Sequence, residues 1–175
     1  LSLLPWAPGY ARVMGTGLVN GRAHPIDTRN ILKEQIARLQ ARGWTFNTGI
    51  EPEFSLFERT QDGSIRPFDS TDTLRKPAYD YRGLSRARVF LERVTDSLKA
   101  LGIDVYQIDH EDANGQFEMN WNFADALVTA DRHVFFKYMT RAFAEKHGLR
   151  ATFMPKPFID LTGSGCHMHT SLWSA

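Results

Sequence analysis

Four carboxylates and two imidazoles in this chain fall at spacings suited to binding a cation. Glu51 and Glu53 flank Pro52 within an apolar run that includes Ile50, Phe54, Leu56 and Phe57. In a strand, the i, i+2 spacing sends both carboxylates to the same side. An arbitrary Glu-x-Glu is usually a solvated outer face. A run this apolar instead implies a largely buried strand, where two unpaired carboxylates are costly unless a cation offsets them. Glu111 and Glu118 repeat the situation on either side of Asn114-Gly115, a dipeptide that favours a tight hairpin because both residues tolerate positive φ. Beyond that turn, Phe117, Met119 and Trp121 alternate with Gln116, Glu118 and Asn120. A strand there sends its apolar set one way and Glu118 the other. His110 and Asp112 adjoin Glu111, and taken alone the turn fits exposed acids as well as it fits a site. His167 and His169 also share a strand face, directly after Gly163-Ser164-Gly165.

If these three strands converge, Glu51, Glu53, Glu111, Glu118 and His167 form a set dominated by hard oxygen donors. Such a set suits Mg²⁺ or Mn²⁺ better than zinc. A zinc set built on Cys166, His167 and His169 lacks the second or paired cysteine that would complete it, and ranks behind. Divalent ions held by several carboxylates commonly clamp transferring phosphates, so phosphoryl transfer from a nucleotide is the expected chemistry. Two familiar nucleotide signals are missing. Thr162-Gly163-Ser164-Gly165 is not followed by Lys-Ser/Thr, and no Gly-x-Gly-x-x-Gly opens a helix after a strand. A nucleotide must bind here by another route.

The elements that position these residues are readable from periodicity. A helix is expected over 28–42, capped by Asp27 or Thr28, with Ile31, Leu32, Ile36 and Leu39 on one face and Gly43 as its stop. Trp44 to Phe57 reads as a strand, in which Pro52 fits an edge, a bulge or a strand end. Residues 64–83 read as a long loop and 85–101 as a second helix with Val89, Phe90, Val94, Leu98 and Leu101 on its apolar face. Strands over 103–110 and 116–122 flank the hairpin turn. A third helix over 124–147 carries Val134, Phe135, Tyr138, Met139 and Phe143, and strands follow at 149–154 and 165–172. The N-terminal 25 residues read as Gly/Pro-rich loops with a short strand at 10–14. Hairpin connections argue for an α+β domain, a mostly antiparallel sheet with helices packed on one face.

At 175 residues the chain supports one domain, residues 1–175, rather than two. It opens on Leu1 rather than Met and ends within a strand-like run, as a piece of a longer protein would. Apolar residues make up 42%, charged residues 23%, and the formal net charge is +1, so nothing draws it toward nucleic acid or a membrane surface. Cys166 is the only cysteine, which excludes an internal disulfide and points to a reducing cytoplasm. No apolar run is long enough to cross a bilayer.

Three separated stretches then carry a resemblance. GIEPEFSLF (49–57), DHEDANGQFEMNW (109–121) and TFMPKPFIDLTGSGCHMHTSLW (152–173) resemble the three central signature regions of the glutamine synthetase family, in the same order. PWAPGYARV near the N-terminus is similar to the lead-in to that family's catalytic domain. HEDANGQFEMNW and TADRHVFFKYM resemble most the branch of type III-like glutamine synthetases and γ-glutamylmethylamide synthetases. The resemblance implies a curved sheet forming part of a catalytic barrel, with helices on its outer face. It implies an ATP-dependent ligase that joins ammonia or an amine to the γ-carboxylate of glutamate through γ-glutamyl phosphate, with Mg²⁺ or Mn²⁺, in a homo-oligomer. Under it, Glu53, Glu111 and Glu118 match the metal site nearer glutamate, Glu51 and His167 match two ligands of the nucleotide-side metal, and Glu111 and His169 are the catalytic candidates. His169 and Ser171 match contacts to the nucleotide, Phe123 a nucleotide-side aromatic, and Gly163 and Glu53 the substrate side. Thr162 and Cys166 depart from the Asn and Met common there. The family's N-terminal domain, its C-terminal arginines and the third ligand of the nucleotide-side metal are expected outside residues 1–175, so the isolated segment is expected to be inactive. The alternative is a non-catalytic homologue with a structural or regulatory role.

Overall fold

The computed structural model describes residues 2–174. Two short ladders lie near the N-terminus: Ser2–Leu3 (β1) with Ala11–Arg12 (β2), and Leu18–Val19 (β3) with Arg22–Ala23 (β4). The second was not expected; Asn20 and Gly21 both take positive φ at its turn. Helix Thr28–Gln40 (α1) is capped by Asp27, whose side chain accepts from the amides of Arg29 and Asn30. Strand Trp44–Arg59 (β5) follows.

β5 is the strand to which most of the sheet is attached. Along one side it pairs with Arg150–Thr152 (β10) and Cys166–Ser174 (β11). Along the other it pairs with Ile65–Pro67 (β6), Gln116–Trp121 (β8) and Ala124–Asp125 (β9). Val105–His110 (β7) completes the sheet by pairing with β8. All pairings among the described residues are antiparallel. Pro52 therefore sits in a central strand, not at an edge. It is tolerated because it falls where ladders change: along β5 the pairing with β11 ends at Pro52↔Cys166, and the pairing with β8 starts at the next residue, Glu53↔Glu118.

The alternation predicted for β5 and β8 divides the sheet into two faces. Ile50, Phe54 and Leu56 join Phe117, Met119 and Trp121 in the core, where they meet two helices. Arg88–Ala100 (α3) contributes Phe90, Leu91, Val94 and Leu98, and Ala126–Lys146 (α4) contributes Phe135, Phe136, Met139 and Phe143. Phe54, fully buried, lies within about one ring contact of Phe90, Phe117, Phe136 and Phe153, with centroids 5.7 to 6.3 Å away. Glu51, Glu53 and Glu118 alternate with these core residues and so lie on the opposite face.

Several local expectations need correction. The 64–83 stretch is not a continuous loop, since it contains β6 and the start of Tyr81–Arg86 (α2). The expected 85–101 helix is two helices, divided at Ala87. Asp80 begins α2 earlier by accepting from the amides of Arg82 and Gly83. A β-carbon at Gly83 would lie 2.5 Å from His110 Cδ2, so packing demands glycine within α2. Ile31, Val89, Val134 and Tyr138 are exposed rather than core-facing. The strand expected over 149–154 is only Arg150–Thr152, and the one at 10–14 only Ala11–Arg12.

Replacing a fully buried phenylalanine removes both its transfer free energy and its packing partners. Phe54→Ala should therefore cost about 3–5 kcal/mol, read as a lowered urea midpoint at unchanged slope. An unchanged midpoint would contradict this assignment of the core.

Candidate metal centre

β5, β8 and β11 place the expected side chains together through their registers. Glu53 sits opposite Glu118, which sits opposite Asp109, and Glu51 sits opposite His167. Donor atoms of Glu51, Glu118 and His167 all lie within 4.8 Å of one another. The two histidines bracket Glu51: His167 Nδ1 is 3.4 Å from Oε2, and His169 Nε2 is 3.1 Å from Oε1. Cys166 and His169 are not in the close donor group, which leaves the zinc set without support and favours oxygen donors with one imidazole.

Glu53 and Glu111 lie beside this group without joining it. Glu53 Oε2 accepts from Gln116 Nε2 at 3.0 Å, and its Oε1 would lie 2.9 Å from a β-carbon at Gly165. Gln116 also donates to the Gly163 carbonyl and to Ser164 Oγ, each at 3.0 Å, so one amide ties β5 to the Gly-rich loop. Gly163 is enforced by that loop's tightness, because a β-carbon there would be 2.5 Å from the Pro155 carbonyl. Glu118 Oε1 accepts from Asn120 Nδ2 at 2.9 Å. His110, expected beside the acids, instead faces the other way: it is opposite Phe117, with its side chain 1% exposed.

The electrostatics single this cluster out. Burial, then the charges of Glu53, Glu118 and Asp109, push Glu111 up to about 7. Burial also raises Glu118, partly offset by the Asn120 amide and reinforced by Glu51, Glu53 and Asp109. Every charged neighbour that acts on these two groups is another carboxylate. Elsewhere the chain supplies cations to its acids: Arg29 to Asp131, Arg66 to Glu58, Arg86 to Asp69. Crowded acids left without a basic partner fit a bound divalent cation, and the donor chemistry fits Mg²⁺ or Mn²⁺.

Beside the acids, a cleft of about 290 Å³ is lined by Glu51, Tyr106, Phe123, His169, Thr170 and Ser171 among others. Of the residues expected on the nucleotide side, Glu51, Phe123, His169 and Ser171 share this cavity, whereas His167 is not in its lining. Phe123 and Trp173 stack at its edge with centroids 6.0 Å apart and planes 22° apart, both more than half exposed. Sequence reasoning missed Asp109, Gln116 and Asn120 as members of the site. Their signal was present, because each shares strand alternation with Glu111 or Glu118.

A family model described as glutamine synthetase, catalytic domain, matches residues 25–175. The chain belongs to that family. It is 57% identical over 172 residues to a glutamate–methylamine ligase of Methyloversatilis universalis, covering 98% of this chain and 39% of that protein. It is 48% identical over 170 residues to a glutamine synthetase of Rhizobium leguminosarum bv. phaseoli, covering 97% and 38%. Among solved structures, a GmaS/ADP complex superposes with a TM-score of 0.93 at 49% identity, covering 98% of this chain and 39% of that one. The chain therefore spans about two fifths of the length of these relatives.

A raised carboxylate pKa has a definite sign. Between pH 4.5 and about 7 the metal-free folded state holds a Glu111 proton that the unfolded chain releases, so metal-free stability falls as pH rises through that window. A cation must displace the same proton. Mn²⁺ affinity should weaken as pH falls below about 7, with proton release visible by calorimetry in buffers of different ionisation enthalpy. Affinity independent of pH across this range would contradict the cluster's role.

Proposed function

We propose that residues 1–175 are the central segment of the catalytic domain of an ATP-dependent ligase. It joins ammonia or a small amine to the γ-carboxylate of glutamate through γ-glutamyl phosphate. The observation that carries this reading is the crowding of Glu111 and Glu118 by other carboxylates, with no basic side chain acting on either, in a chain of this family. The γ-carboxylate oxygen attacks the terminal phosphorus of ATP and ADP leaves; the amine nitrogen then attacks the acyl carbon and phosphate leaves. Bound Mg²⁺ or Mn²⁺ would neutralise the phosphates and polarise the transferring group.

The chain's own residues would bind and orient the reactants. Glu53, Glu111 and Glu118 would hold the ion nearer glutamate, and Glu51 and His167 the one nearer the nucleotide. The proximity of Glu118 to Glu51 and His167 supports a site in which the two ligand sets adjoin. His169, beside Glu51, is assigned to the transferring phosphate and Ser171 to the nucleotide, both supported by their place in the cleft. Phe123 offers an aromatic face at that cleft, in keeping with the ADP named in the GmaS complex. The Gly163 backbone is assigned to glutamate. Glu111 and His169 are the residues assigned to the reacting groups.

Between ammonia and an alkylamine, the higher identity to the methylamine ligase, 57% against 48%, favours methylamine or another small amine. Initial rates with a panel of amines separate the two. We assign the whole protein to the cytoplasm as a homo-oligomer. No helix among the described residues is long and apolar enough to cross a membrane, and exposed Leu3, Tyr10, Val13 and Ile26 offer apolar surface for contacts. The isolated segment is expected to be inactive, because it spans only part of its relatives.

Glu118→Ala in the full-length protein should abolish ATP-dependent γ-glutamyl transfer while the protein stays folded. Near-normal turnover would overturn the assignment. Turnover by the purified 1–175 segment alone would contradict the expectation that it needs the rest of the protein.

A further inference from the structure

Behind the carboxylates lies a buried ionisable pair that the proposed chemistry does not use. His110 and Asp72 have side chains 1% exposed, with His110 Nε2 2.9 Å from Asp72 Oδ2. His110 Nδ1 donates to the Glu111 carbonyl at 2.8 Å. Both ring nitrogens thus face oxygen atoms, which fixes the orientation of the ring. Asp72 is held in turn: Oδ2 accepts from the Gly115 amide at 2.8 Å and Oδ1 from Asn114 Nδ2 at 3.1 Å. The His110 carbonyl accepts from the amide of Tyr79, which takes φ 63°, an uncommon conformation for a bulky side chain. The ring packs edge-on against Phe117, centroids 5.0 Å apart, and Gly83 leaves it room. Every contact of this ring is satisfied, and one of them ends on the backbone of Glu111.

We propose that Asp72 and His110 are positioning residues that set Glu111. Resting on the reading of Glu111 as a ligand of the glutamate-side ion, this makes His110 the brace that fixes the Glu111 backbone and so the reach of its carboxylate. Asp72 orients the ring from the other side and pins Gly115 at the far end of the same five-residue connection, 111–115. Outer partners of metal ligands act in this way, and their loss typically weakens metal binding by about 10- to 100-fold.

Two substitutions separate bracing from simple loop attachment. In His110→Asn the amide nitrogen takes the place of Nδ1 and can still donate to the Glu111 carbonyl. In His110→Gln it takes the place of Nε2 and can still donate to Asp72. Mn²⁺ affinity of the full-length protein, measured by electron paramagnetic resonance, should stay within about 3-fold of wild type in His110→Asn and fall about 10-fold or more in His110→Gln. ADP affinity should be unchanged in both. The opposite order, or equal affinities in both, would overturn the proposal. If the His110 variants do not fold, Asp72→Asn serves instead: it should weaken Mn²⁺ binding about 10-fold with ADP binding intact, and wild-type Mn²⁺ affinity would overturn the proposal. Wild-type protein with no saturable Mn²⁺ binding would sink the metal reading together with this one, whereas normal wild-type binding with indifferent variants would sink this one alone.

Discussion

The structure turns on the repulsion among acids that the β5–β8 pairing forces together. Strand register gives these side chains no freedom to separate: Glu53 must face Glu118, and Glu118 must face Asp109. Glu51 and Glu118 offer oxygens within 4.8 Å of one another, and at an effective dielectric near 20 two unit charges at that spacing repel by about 3.5 kcal/mol. Burial, then the charges of Glu53, Glu118 and Asp109, pushes Glu111 up to about 7, so protonation relieves part of the crowding in the metal-free protein. A divalent cation relieves it more completely. The cost of the cluster is borne by the opposite face of the same strands, where Phe54, Leu56, Phe117 and Met119 are fully buried against α3 and α4.

One strand therefore serves both purposes through its pleat. Alternate residues of β5 pack the core or face the acids, and a shift of one position in register would exchange the two sets. The hairpin that carries Glu111 cannot slip, because Gly115, at φ 69°, sits close enough to the Leu56 carbonyl that a β-carbon would reach 2.9 Å. Asp112 adds further ties, accepting from Lys76 Nζ at 3.2 Å and from Thr162 Oγ1 at 2.7 Å. The connection that carries Glu111 is thus tied at Asp112 and at Gly115.

Much of this was legible in the sequence, for a physical reason. Period-2 alternation in 50–57 and 116–121 is a local property, and it told which side Glu51, Glu53 and Glu118 would occupy. The glycine stop of α1 was equally local, and Gly43 does take positive φ just past its end. What failed depended on distant partners. Nothing near Asp72 in the chain announces its bond to His110, 38 residues away, or that Gly83 exists to admit that ring. The central place of Pro52 followed from five strands sharing β5, which no local pattern records. Glutamine synthetase family membership reached further than periodicity did, because it linked three motifs that alternation alone could not have brought to one place.

The central claim is that the acids of β5 and β8 are held together in order to bind divalent cations. Crystals of the full-length protein grown with MnCl₂ and measured at the manganese edge test it most directly. The account predicts anomalous peaks in bonding contact with Glu118 and with Glu51 or His167. An ordered site with no such peak, its carboxylates protonated or splayed apart, would contradict it.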